Sequence, residues 1–210
     1  MVFYYETVFA GKTILLYRGK DKYENEDLIK YGWEEDVWFH VDEVSSAHIY
    51  MRLPQGMSIE TIPNELIMLC SKLTKENSIE GCKQTKSKIV YTLWSNLKKT
   101  GDMAVGQVSF HDRSRVYRVT IEKSACKDEI KALEKCCREE ENPNLAEMKE
   151  KHLAELRRQE LDNKKAMEKQ QSKIAAERQK DKEARSYDRL FADDKMCSNQ
   201  DKGNDSDDFM

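Results

Sequence analysis

The sequence predicts an α+β domain, a mixed or antiparallel sheet with packed helices, followed by a long charged C-terminal helix. Three observations predict it. Residues 1 to 124 hold nearly all the aromatic side chains, so the core lies there. Strand-length runs of aromatic and β-branched residues alternate in that region with capped helical segments. From 127 to 195 there are 18 basic and 18 acidic residues with two aromatics, a composition that cannot bury a core of its own.

Val2 to Phe9 and Thr13 to Tyr17, separated by Ala10-Gly11-Lys12, read as a hairpin. Asp21 caps a helix running to about Tyr31, with Gly32 as its stop. Val37 to Val41 and His48 to Leu53 are strands joined by a polar turn at Asp42 to Ser46. Pro63 suits the first turn of a helix from about Asn64 to Asn77, whose Leu66, Leu69, Cys70 and Leu73 recur at three and four and pack on the sheet. Lys88 to Thr92, Gln107 to His111 and Arg115 to Ile121 complete a set of six strands. The domain is placed at 1–124, with a short helix within 125–142 ended by Asn142-Pro143-Asn144.

Leu145 to Leu190 has no Gly or Pro and is rich in strong helix formers, so one helix about 70 Å long is expected at about 1.5 Å per residue. A heptad frame through Leu153, Leu156, Met167 and Ile174 makes it a possible coiled coil, but Glu160, Asn163, Gln170, Glu177 and Asp181 interrupt the seam. The segment is therefore read as monomeric in isolation and as a site for a protein partner. Residues 191–210 form an acidic tail, expected to be disordered.

The net charge of −3 conceals a split. Residues 1 to 82 carry 8 basic and 14 acidic side chains, and 83 to 123 carry 9 basic and 3 acidic. The second segment suits a polyanion if its cations share a face. Its candidate phosphate contacts are Lys83, Lys86, Lys88, Lys98, Lys99, Arg113, Arg115 and Arg118, to which Lys20, Lys22 and Arg52 are added from the first. The densest polar pattern runs from Gly19 to Arg52 and places Asn25, Asp36, Trp38, His40 and His48 on a helix and two strands. Asn25, Asp36, His40 and His48 are expected to converge at one rim of the sheet. Trp38 and Phe39 point to opposite faces, one into the core and the other either exposed for a base to stack on or buried under the helix.

Two histidines beside Asp36 or Asp42 are a thin basis for a metal site, so no metal or cofactor is assigned. No phosphate loop, nucleophile elbow or dinucleotide fingerprint occurs, and no enzymatic activity is expected. The six cysteines include no Cys-x-x-Cys pair and read as free thiols in a reducing, cytoplasmic or nuclear setting. No run of about 18 apolar residues is present, so no transmembrane segment is expected.

Gly19, Asn25 and Leu28, Asp36-Val-Trp-Phe-His40, His48 with the strand after it, Val90-Tyr-Thr92, Lys98-Lys99 and Gly106-Gln-Val108 follow one another over about residues 12 to 121. In this the chain resembles the NFACT-R domain, the RNA-binding module of ribosome-associated quality-control proteins. Relatives in the ribosome-bound group usually have Gly-Ser before the second histidine, where this chain has Ser46-Ala47-His48. The resemblance implies a non-enzymatic nucleic-acid-binding adaptor, with RNA ahead of DNA as the polyanion. Two alternatives use other features: a DNA-binding protein with the same basic surface, and a coiled-coil interaction scaffold with no nucleic-acid role.

Overall fold

In a computed structural model describing residues 1–122 and 127–185, seven strands form one sheet in which every pairing is antiparallel. The elements run β1 (Val2–Phe9), β2 (Lys12–Gly19), α1 (Lys22–Tyr31), β3 (Asp36–Val41), β4 (Ile49–Arg52), α2 (Asn64–Glu76), β5 (Lys86–Leu93), β6 (Leu97–Lys98), β7 (Ser109–Phe110), β8 (Tyr117–Glu122), α3 (Lys127–Lys135), β9 (Arg138–Glu140) and α4 (Leu145–Arg185). The sheet order is β8-β5-β3-β4-β2-β1-β9, and β6 and β7 pair separately. Met1–Leu153 form one compact unit, and the described residues from Ala154 belong to a second.

Local chemistry explains the elements that shape the site. Ala10 and Gly11 both have positive φ and leave Phe9 paired with Lys12, a two-residue turn whose twist suits a hairpin. The Asp21 carboxylate accepts from Tyr23 and Glu24 N–H at 2.8 and 3.1 Å and starts α1. Gly32 does not end α1 by a left-handed turn, since its φ is −58°. It is required by proximity: an added Cβ would lie 2.2 Å from Trp94 Nε1, which donates to the Ile29 carbonyl at the helix end.

The alternation of each strand divides the core. On one face, Tyr5, Leu16, Phe39, Met51, Ile89 and Ile121 pack against Leu66, Cys70 and Leu73 of α2 and Ile130 and Leu133 of α3. On the other, Tyr4, Tyr17, Trp38, Tyr50 and Val90 pack with Leu28 of α1 and, at the margin, Phe110 and Leu145.

The structure departs from the sequence reading at two places. The short helix covers only Lys127–Lys135, and the chain then forms β9 along the free edge of β1, pairing Tyr4 with Arg138. The strand expected at 107–111 shrinks to Ser109–Phe110, with Leu97–Lys98 as its unforeseen partner. The long helix is described to Arg185, with no buried residue. The rest of the expected helix and the tail at 191–210 lie outside the described residues.

Candidate nucleic-acid interface

Strand β3 carries Asp36, Trp38 and His40 on the face that meets α1, because alternate residues share a face and Val37, Phe39 and Val41 pack with α2. His48 precedes β4 and reaches the same place. Trp38 Nε1 donates to His48 Nδ1 at 3.0 Å, which makes Nδ1 the acceptor and puts the His48 proton on Nε2. The His40 ring stacks on Trp38, with centroids 5.3 Å apart, and stands edge-on to His48 at 4.9 Å. Phe110 closes the group edge-on to Trp38 at 5.8 Å.

This cluster is largely buried. Burial, with the His40 and Lys99 charges nearby, lowers the His48 pKa to about 3, and burial lowers that of His40 too. Both rings are therefore neutral near pH 7. Trp38 is also sealed, at 2% exposure, so of the two alternatives for its ring, open to a base or buried, the second holds, and it is no direct nucleic-acid contact. The half-buried ring at this surface is His40.

The turn before His48 is tied by its own side chain. Ser46 Oγ accepts from Val41 N–H at 3.0 Å and donates to the Ala47 carbonyl, while Glu43 takes φ +65°. A second wall comes from the loop after β6. Glu26 on α1 accepts from Lys99 Nζ at 2.9 Å and from Gly106 N–H at 2.8 Å, and Lys99 also donates to the Ala104 and Gln107 carbonyls. Gly106, at φ +80°, runs against Lys22.

Between these walls lies a cleft of about 740 Å³, within the usual range for ligand sites of roughly 300 to 1,000 Å³. Lys20, Lys22, Asn25, Trp38, His40 and His48 all line it. Asn25 is buried against Gly19, where an added Cβ would lie 2.6 Å from Asn25 Oδ1, and that oxygen has no hydrogen-bond partner. The sequence reading passed over Gln107 and Phe110, although Gly106-Gln-Val108 marked their neighbourhood.

The cations are distributed less simply than their order in the chain suggests. Ile89, Val119 and Ile121 pack on the α2 side, so Lys86 and Lys88 of β5 and Arg118 of β8 share the face of Trp38 and His40. The register runs His40 to Val90 to Arg118 across three strands. Lys86 pairs with Glu122 at 2.9 Å, and Arg118 lies 3.7 Å from Asp42. Arg113 and Arg118 border a groove beside the cleft, and Arg115 and Lys98 are exposed on adjoining segments. Lys83 sits in a separate turn, its N–H bonded to the Glu80 carbonyl. Lys99 is committed to the loop, which corrects its reading as a phosphate contact.

Asp36 and Arg52 are the larger correction, because they do not join the rim. Asp36 is fully buried and accepts from Tyr17 Oη at 2.5 Å, Trp33 N–H at 2.9 Å, and Arg52 Nε and Nη2 at 3.0 and 3.2 Å. Four residues of strand separate Asp36 from His40, about 13 Å at about 3.3 Å each. Arg52 stacks 3.3 Å from the centre of Trp33, and His152 of α4 stacks on Trp33 at 3.6 Å, so the two occupy opposite faces of the indole. His152 Nε2 lies 2.7 Å from a Glu35 oxygen.

The sequence profile of the NFACT protein RNA binding domain matches residues 1–112, more than half of the chain. The chain belongs to the NFACT-R family. The chain is similar throughout its length to coiled-coil domain-containing protein 25 of Mus musculus, 48% identical with all of both chains covered, and to that of Danio rerio, also 48% identical over all of both. Protein JLP2 of Saccharomyces cerevisiae is 42% identical over 52% of this chain and 55% of its own. Among solved structures, the C-terminal part of the fibronectin/fibrinogen-binding protein of Streptococcus suis is 19% identical, with a TM-score of 0.48 over 62% of this chain and 47% of that one. Among the described residues, no helix is long and apolar enough to cross a membrane, and no three His, Cys, Asp or Glu side chains are grouped to hold a metal ion.

Proposed function

We propose that this NFACT-R protein is a non-enzymatic RNA-binding adaptor. RNA lies across the open half of the α1-side sheet face, and α4 is available to a protein partner. The observation that carries the reading is the continuity of that face: the His40 cleft, with Lys20 and Lys22 at its wall, runs through Val90 to Lys88, Arg118 and Arg113. Phosphates meet cations there without a buried charge having to be exposed. The neutral histidines support binding rather than proton transfer, since a general base near pH 7 requires a pKa close to that pH.

Replacing Lys88, Arg113, Arg115 and Arg118 together by Glu tests it. The expected result, in anisotropy titrations with single-stranded RNA, is an affinity at least tenfold lower at low salt and a shallower salt dependence, since each lost contact removes about 0.7 from the log–log slope. Matched reversals at the exposed Lys12 and Lys131, away from this face, leave binding within about twofold. Equal affinity for the quadruple variant and the parent would sink the reading.

A further inference from the structure

The cleft and the groove beside it differ in charge, and the difference assigns their contents. Three basic side chains in the cleft wall (Arg18, Lys20 and Lys22) are offset by three acidic ones (Asp21, Asp42 and Glu43). The α1 N-terminus is no anion site either, because Asp21 already accepts its first N–H groups. The adjoining groove, of about 280 Å³, is lined by Arg113 and Arg118, of which Arg118 lies 3.7 Å from Asp42 at an exposed position, and it shares Val108 and Phe110 with the cleft. An uncharged, flat, hydrogen-bonding group fits the first space and an anion fits the second. The ring that this space offers such a group is His40, half-buried in the cleft wall and stacked on Trp38 behind it.

We propose that the cleft takes one unstacked nucleobase of a single-stranded RNA, packed against His40, while Arg113 and Arg118 hold the neighbouring phosphate. The proposal rests on the RNA-binding reading above and narrows it. A base inside a duplex is stacked and paired and cannot enter, so the face selects single strands, loops or ends. His40 is backed by Trp38, which fixes its ring without adding charge. Stacking of a base on an aromatic ring changes affinity by roughly 5- to 150-fold.

The full chain is titrated with an oligoadenylate dodecamer, with the abasic ribose-phosphate dodecamer and with an RNA duplex of the same length. The oligoadenylate is expected to bind at least fivefold tighter than the other two. His40→Ala reduces it to the abasic level, and His40→Phe restores the difference by supplying a ring. Arg113→Glu with Arg118→Glu weakens the oligoadenylate and the abasic strand alike. Equal binding of oligoadenylate and abasic strand by the parent protein, with salt dependence intact, overturns the base pocket and leaves RNA binding standing. A failure to recover the difference with a folded His40→Phe also overturns it. If no probe binds, the RNA-binding reading falls and this proposal with it.

Discussion

The two ends of strand β3 have the same construction and opposite fates. Each puts a polar side chain on the α1-side face among aromatic rings: Asp36 beside Tyr17 and Trp33 at the start, His40 beside Trp38 and His48 near the finish. At the Asp36 end every hydrogen bond is internal, and the first turns of α4 seal it by placing Leu145, Met148 and His152 over Tyr31, Trp33 and Arg52. At the His40 end the neighbouring loop is held back by Glu26, and a cleft remains. The Asp36 oxygens have their bonding capacity used within the fold, whereas the His40 ring stays half-buried in the wall of the cleft.

The strongest way to break this contrast is Asp36→Ala. It leaves the Arg52 guanidinium and the Trp33 N–H without their acceptor, and loss of one partner from such a buried pair costs about 3 to 5 kcal/mol. Urea unfolding is expected to show a loss of that size. A change below about 1 kcal/mol means that this end is not the structural half.

Acid sharpens the comparison from the other side. The folded protein keeps His48 neutral down to about pH 3, whereas the unfolded chain protonates it near its ordinary value of about 6.5. Stability is therefore full above about pH 6.5 and declines as the pH falls toward 3, by about 1.4 kcal/mol per pH unit from His48, with a further contribution of the same sign from His40. His48→Gln retains an acceptor for Trp38 and is expected to flatten the decline measured by unfolding between pH 6 and 4. An unchanged slope would place the acid sensitivity elsewhere.

The smallest effect concerns the seal itself. His152→Ala removes the outer ring on Trp33 at a cost of about 0.5 to 1.5 kcal/mol. Its signature is faster amide exchange in the first turns of α4, with RNA affinity unaltered; a fall in affinity would show that the two ends are coupled.

The strands, both early helices and the breaker-free helix are legible in the sequence because alternation, caps and Gly or Pro punctuation are local signals. The pairing of His40 with His48 is legible for the same reason, since a short turn joins their strands. Asp36 was grouped with them because strand period places 36, 38 and 40 on one face but does not say which end of that face is covered. That depends on His152, more than a hundred residues later, and on Trp33, whose role is set by contacts on both of its faces. Lys99 misled similarly: its charge is visible, but its acceptors on Glu26, Ala104 and Gln107 are not. Strand β9 was missed because Arg138-Glu-Glu140 has the composition of a solvated helix, and only the free edge of β1 makes it a strand.

That edge has a consequence for solubility. β1 offers eight residues rich in Tyr, Phe and Val, and β9 covers Val2, Phe3 and Tyr4 with a strand whose own side chains are charged. A fragment ended at residue 112, where the family match stops, or at 124 lacks this cover and presents an apolar strand edge to other molecules. Arg138-Glu-Glu140 thus serves as a gatekeeper against intermolecular β-pairing, carried by a segment outside the matched domain.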